Sequence, residues 1–264
     1  MKKPPSSVRN RMDSLFPFLV IAGFFLLWEF LASGEYISRL FFPAPSRILA
    51  NLWQMVLDGR LATNMLATMS RLFIGLLCGI VPGISLGLAM GWSPRLRKLI
   101  DPFIAALHPL PKFAMFPLIL IIFGIGETSK VIAVAITCFF PSLINSMAGV
   151  RQLSPVYFEA AKNYGASKLK TFQRVVWPGS LPMVLAGVRI AFAIALVVTL
   201  AVELLASREG LGVIIWFSWQ TLKIVDLYSA LIVIAVVGFS ATFALKKISL
   251  RLAPWNADAE SDTY

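Results

Sequence analysis

Gly75-Leu-Leu-Cys-Gly79-Ile-Val-Pro-Gly83-Ile-Ser-Leu-Gly87-Leu-Ala-Met-Gly91 is an apolar stretch without a charged side chain, and a glycine returns at every fourth position. Residues four apart lie on nearly one face of an α-helix, drifting by about 40° per step. The spacing therefore predicts a membrane-crossing helix with a smooth groove, which lets a second helix approach closely. Gly75, Gly79, Gly83, Gly87 and Gly91 are read as packing residues. Packing within the chain is the first reading, and a seam between two copies the second. Pro82 inside the run predicts a kink.

The rest of the chain agrees with a membrane protein. Of 264 residues, 58% are hydrophobic and 14% charged, with a mean hydropathy of +0.79; soluble domains carry about 25% charged residues. The length suits one bundle of spans with no additional soluble domain. A net charge of +11 would suit nucleic acid, but the basic residues sit in short loops between apolar runs, as the positive-inside rule describes. Cys78 and Cys138 both fall within apolar runs and read as small packing residues rather than a disulfide.

About six spans of the required length can be drawn, at 15–32, 64–91, 99–123, 129–150, 182–206 and 226–247. The first follows a basic, polar segment. It lacks a cleavage site at Leu31-Ala-Ser-Gly-Glu35 and reads as a retained anchor. Lys and Arg are distributed about three to one in favour of the segments 1–14, 92–98, 151–181 and 248–264, which places those segments and the N-terminus in the cytoplasm. The opposite side carries residues 33–63. There Ser46 is expected to cap a short helix over 47–58 with Ile48, Leu49, Leu52, Trp53 and Val56 on one face. That helix is either an interfacial helix or a lid on the bundle. The organisation expected is thus a cytoplasmic tail over 1–14, a transmembrane domain over 15–255 that includes the loop 151–181, and a frayed polar tail over 256–264.

Two places inside the spans are chemically unusual. The third span reads Leu107-His-Pro-Leu-Pro-Lys-Phe-Ala-Met-Phe-Pro117. Prolines two apart break a helix and free backbone carbonyls. His108, Pro109, Pro111, Met115 and Phe116 are therefore candidates to line a translocation path, against the alternative of a structural kink with Lys112 snorkelling. Arg71, Arg189 and Glu203 are charges within spans and need partners or a function. Each arginine is expected to pair or snorkel. Glu203, set against anions by its charge, joins the path candidates as a gate or packing partner.

The loop 151–181 is long, polar and basic, and such loops usually carry function. Ser154 and Pro155 start a helix expected to run to Tyr164, with Gly165 as its left-handed cap. Ser167 starts a second expected to stop before Pro178. Val156, Ala160, Ala161 and Tyr164 would form one face, kept flat by the alanines, with Glu159 favoured near the helix start.

Glu159-Ala160-Ala161, three residues, Gly165, nine residues, then Val175-Val176-Trp177-Pro178 resembles the EAA loop of permease subunits of binding-protein-dependent ABC importers. Val175 stands for the family's Ile and Trp177 for its Leu. Phe42-Pro-Ala-Pro-Ser46, Gly87-Leu-Ala-Met-Gly-Trp-Ser-Pro94, Phe123-Gly-Ile-Gly-Glu-Thr-Ser-Lys130 and Pro178-Gly-Ser-Leu-Pro182 look like the nitrate, sulfonate and taurine branch. The resemblance implies an all-α polytopic bundle with the type I importer permease fold, in the bacterial inner membrane. It implies Tyr157, Glu159, Ala160, Ala161, Tyr164, Gly165, Ala166 and Ser167 as the element that docks a cytoplasmic ATPase. The partners implied are a dimer of that ATPase, a second copy of the permease, an external solute-binding protein and membrane lipid, and no nucleic acid. The cargo implied is a small oxyanion, though some relatives carry neutral or heterocyclic compounds.

Other classes lack their motifs. No Gly-x4-Gly-Lys-Ser/Thr loop is present, so ATP and Mg are expected on the partner and no cofactor on this chain. One histidine excludes a His-Glu-x-x-His site, and no Gly-x-Ser-x-Gly supports a hydrolase. The chain is expected not to be an enzyme. A passive channel or secondary transporter is the alternative reading.

Overall fold

A computed structural model describes residues 6–256. The parts of the expected terminal tails at 1–5 and 257–264 lie outside the described residues. Among the described residues the regular structure is helical: α1 (Ser6–Ser33), α2 (Pro45–Leu57), α3 (Arg60–Trp92), α4 (Pro94–Leu107), a single tight turn (Lys112–Met115), α5 (Phe116–Phe123), α6 (Glu127–Arg151), α7 (Pro155–Asn163), α8 (Lys168–Thr171), α9 (Trp177–Ala206), α10 (Leu211–Gln220) and α11 (Ile224–Leu252). Among the described residues, α3, α6, the run Lys168–Ala206 and α11 are each long and apolar enough to cross a membrane. The broken pair Pro94–Leu107 and Lys112–Phe123, bent by 81°, makes a fifth candidate. The apolar part of α1, Phe18–Ser33, is shorter.

The chain forms two compact units. One comprises the residues up to Ala62 together with Ile214–Ile232; the other comprises Thr63–Val213 and the residues from Val233 on. In the first unit α1 and α2 are joined through Glu29, whose carboxylate accepts from the backbone N–H and the hydroxyl of Ser46 at 2.9 and 2.8 Å. This alters the expected start of α2. The Ser46 hydroxyl is taken by Glu29, so the helix begins at Pro45, with Ala44 as its cap residue; proline suits that position because its missing N–H is not needed there. The expected apolar face also divides. Ile48 and Met55 are buried, while Leu49, Trp53 and Val56 are exposed. Asn51 on the buried side donates to Asp226 and Ser229 at 2.8 and 3.0 Å.

The second unit is built around α6. The glycines of α3 face it in register. A Cβ on Gly75 would lie 2.6 Å from Val134 Cβ, one on Gly83 2.7 Å from the Phe139 carbonyl oxygen, and one on Gly91 2.6 Å from Val150 Cβ. The partner advances along α6 as the glycine advances along α3, so the two helices run parallel. Helix α9 returns antiparallel to them: Gly149 of α6 meets Ser180 and Met183, and Gly187 of α9 meets Pro141 and Asn145. The space between is filled by Leu72, Leu76, Phe116, Val134, Cys138, Phe192 and Val202 among others. Helix α3 continues through Pro82.

Helix α9 departs from the expected chain break before Pro178. The helix runs on from Lys168 to Ala206 through a wider turn at Phe172–Val176, where the Trp177 N–H bonds to the Phe172 carbonyl five residues back. A proline normally clashes with the carbonyl four residues earlier. The extra residue in that turn accommodates Pro178, so the helix need not end.

Candidate functional site

Helix α7 begins at Pro155 after Ser154, whose hydroxyl makes no capping bond. Its end is fixed more firmly. The Gly165 N–H bonds to the Lys162 carbonyl at 3.0 Å and the Ala166 N–H to the Ala161 carbonyl at 2.9 Å, with Gly165 at φ +67°. That pair of bonds is the Schellman ending, which needs a left-handed residue at the position glycine occupies here. Ser167 then caps α8, its hydroxyl accepting from the Lys170 N–H at 3.4 Å.

The helix is attached on one side only. Phe158 packs against a cluster of Leu88, Val150, Val176 and Val184, beside Trp92 and Phe172, whose rings stack at 5.3 Å. Ala161 is half-buried, and Glu159, Ala160 and Gly165 are exposed. Val156 is 64%, Tyr157 59% and Tyr164 91% exposed. Val156, Ala160 and Tyr164 follow one another at four-residue spacing and so share a face. An apolar and aromatic ridge, small in the middle, is thus held away from the bundle by a half-buried Phe158. Behind it a cleft of about 440 Å³ is lined by Leu153, Tyr157, Arg174, Pro178 and Trp255 among others.

At the opposite end of α3, α6 and α9 lies a polar cluster. Arg71 makes a double contact with Glu127, Nε to Oε2 at 2.5 Å and Nη2 to Oε1 at 2.9 Å, and donates from Nη1 to Glu203 at 2.8 Å. Its Nη1 also reaches the Glu209 carbonyl at 2.6 Å. Glu203, 1% exposed, accepts further from Thr68 at 3.0 Å and from the Gly212 N–H at 2.9 Å. Lys130 completes the cluster at 2.8 Å from Glu127. Asn64 and Thr68 accept from the N–H groups of Gly210 and Leu211 at 2.7 and 2.8 Å. The chain between α9 and α10 is therefore tied to α3 by side chains from both helices.

The sequence-selected path residues separate. His108, Pro109 and Pro111 are exposed at the break between α4 and α5, and Met115 is half-buried. Phe116 is fully buried in the core, and Glu203 is enclosed with Arg71. In this conformation neither of the last two can line an open path, because protein atoms already occupy their surroundings. Arg71 does pair, as expected of it. Its second partner, Glu127, was not foreseen; the Glu127-Thr-Ser-Lys130 spacing, opposite charges three apart at a helix start, was the available signal. The second arginine, Arg189, reaches Ser249 at 3.4 Å.

The family described as binding-protein-dependent transport system inner membrane component matches residues 76–253. The taurine transport system permease protein TauC of Escherichia coli is 33% identical over 245 residues, covering 91% of this chain and 89% of that protein. The nitrate import permease protein NrtB of Synechocystis is 28% identical over 246 residues, covering 90% and 88%. Among solved structures, the MetNI methionine ABC transporter in inward facing conformations has a chain that aligns with a TM-score of 0.59 at 16% identity, covering 74% of this chain and 97% of that one; at that identity the likeness concerns the fold. The chain belongs to the inner membrane permease components of binding-protein-dependent ABC importers, in the branch of the taurine, sulfonate and nitrate permeases.

Proposed function

We propose that this chain is the membrane-spanning permease of an ATP-driven importer and that α7 is its docking element for a cytoplasmic ATPase. The N-terminus and α7 then face the cytoplasm, a second copy completes the path, and an external binding protein delivers the solute. The cargo fitting the relatives is a small oxyanion such as a sulfonate or nitrate. ATP binding and hydrolysis belong to the partner.

The observation that carries the reading is the form of α7: a short helix begun at Pro155 and closed at Gly165, anchored by Phe158, with Val156, Tyr157, Ala160 and Tyr164 exposed. A flat small-residue centre between apolar ends suits insertion into a groove on another protein. Helix α7 leads through α8 into α9 without a break from Lys168 on. A displacement imposed on the arm is therefore carried along one continuous helix to Glu203 at its far end. Closure of the ATPases would draw two such arms together and favour one of two arrangements of the bundle, and hydrolysis would release it.

Co-purification tests this. The chain extracted from its native membrane in mild detergent should carry a stoichiometric ATPase. Glu159→Lys should abolish that association while leaving insertion and thermal stability at parental values, since Glu159 is exposed and makes no side-chain bond among the described residues. An ATPase retained at full stoichiometry by Glu159→Lys removes α7 as the docking element.

A further inference from the structure

Lys112 occupies the break between α4 and α5. Its ammonium lies 4.8 Å from the centroid of the Phe140 ring and donates to the carbonyl of His108. The His108 ring meets the same phenyl group edge-on at 5.7 Å. Phe140 is buried within α6, and the lysine and histidine lie on the accessible side of it. Among the described residues no carboxylate pairs with Lys112.

The depth of this arrangement matters. Phe140 lies about 20 Å along α6 from Glu127 and about 16 Å from Arg151, at 1.5 Å per residue. The ammonium is therefore held near the middle of the bilayer, not at its surface. A long side chain ordinarily relieves its charge there by extending to the interface; here the ring and the His108 carbonyl hold it in place. A cation at that depth without a carboxylate does not face lipid chains; such groups face protein or water and mark solute pathways. The broken helix adds freed backbone carbonyls, which are tolerated at membrane depth only where they meet protein or line a watery cavity.

We propose that Lys112, framed by His108 and Phe140, is a transit site that receives the anionic group of a small oxyanion as it crosses the permease. This deepens the importer reading and rests on it. An ammonium has three N–H donors. The His108 carbonyl takes one and the phenyl ring faces the charge from one side, which leaves donor capacity for a sulfonate or nitrate oxygen. One cation without a cage gives the weak, reversible contact that passage requires, since a solute must leave as readily as it enters. Arg71 cannot serve in this way, because its guanidinium is already engaged by Glu127, Glu203 and the Glu209 carbonyl.

The test uses the whole transporter in vesicles, with its ATPase bound, and two thiol reagents of opposite charge: methanethiosulfonate ethylsulfonate, itself a small sulfonate, and its trimethylammonium counterpart. The reporter is His108→Cys in a Cys78→Ser background, labelled with and without ATP. The anionic reagent should react faster by about tenfold after correction for intrinsic reactivity, the scale of one nearby charge in a partly wet site. Adding Lys112→Met should abolish that preference, and Lys112→Arg should keep it. A charge preference unchanged by Lys112→Met overturns the site. So does failure of either reagent to reach position 108 in any nucleotide state, as when a second copy covers it. The amount of ATPase bound is read in the same vesicles. Loss of the charge preference in a complex that keeps its ATPase identifies the site, whereas a parent chain without any ATPase overturns the importer reading beneath it.

Discussion

Arg71 and Lys112 are both cations within the apolar bundle, and their surroundings are opposite. Arg71 is buried, held by two carboxylates and a backbone carbonyl, and it fastens the chain between α9 and α10 to α3. Lys112 sits on the accessible side of a broken helix with a phenyl ring and one carbonyl for company. A buried charge whose partners are complete is part of the scaffold, since each member holds the others in place. A charge left without a counter-ion inside the bundle is available to something that passes. The difference is one of local geometry: α3, α6 and α9 converge where Arg71 lies, while prolines at 109 and 111 open the backbone beside Lys112.

The largest effect expected is from Glu203→Ala. It leaves Arg71 with an incomplete set of partners in a buried site, and breaking such a pair costs about 3–5 kcal/mol. Thermal unfolding in detergent should show Tm lowered by about 10 °C, and the double variant Arg71→Met with Glu203→Leu should recover much of it. A parental Tm for Glu203→Ala would mean that the cluster is not structural and would remove the contrast with Lys112. Next in size is Gly83→Ala, whose added methyl meets the Phe139 carbonyl and must push α3 from α6, for about 1–3 kcal/mol. Ser85→Ala, on the exposed side of the same helix, should unfold with the parent in the same assay.

Lys112→Met sharpens the comparison from the other side. It removes a charge that no carboxylate stabilises, so Tm should stay at the parental value or rise slightly. A fall as large as that of Glu203→Ala would make Lys112 a scaffold residue. The smallest effect belongs to Asp58→Asn. The Asp58 carboxylate accepts from the Arg60 backbone N–H at 3.0 Å and from its side chain at 2.7 Å, which together hold its pKa below the ordinary value, the backbone bond foremost. A lowered carboxylate pKa stabilises above the unfolded value, near about 4, and that contribution fades as pH falls through the folded value. The pair is exposed to solvent, where ion pairs contribute little. The melting curves of Asp58→Asn and parent should therefore superimpose at pH 7 and at pH 4. A resolved difference would show that pairing stabilises here without burial.

Much of this was legible in the sequence because the signals are local. The glycine period of α3 anticipates close packing on one face, and the structure supplies the partner, α6. The prolines at 109 and 111 anticipate a break, and Gly165 anticipates the left-handed end of α7. What was not legible depends on where distant segments meet. Ser46 was read as a cap because nothing in its neighbourhood reveals that Glu29 takes its hydroxyl. Pro178 signals a stop in the sequence because a widened turn, which lets a helix absorb a proline, has no sequence signature of its own. Glu203 and Phe116 were selected for a path by type and depth alone, yet burial depends on which helix face turns inward. Phe140 is one phenylalanine among 20 and carries no mark of its own in the sequence; its role follows from standing across from Lys112.

The most direct test of the central claim is solute uptake by vesicles that contain this permease, its co-purified ATPase and the accompanying binding protein, measured with and without ATP. Accumulation that requires both ATP and the loaded binding protein, and that Glu159→Lys abolishes, is the result expected of an importer driven through α7. Uptake that proceeds without ATP and follows the membrane gradient would contradict the account and leave a channel or secondary transporter in its place.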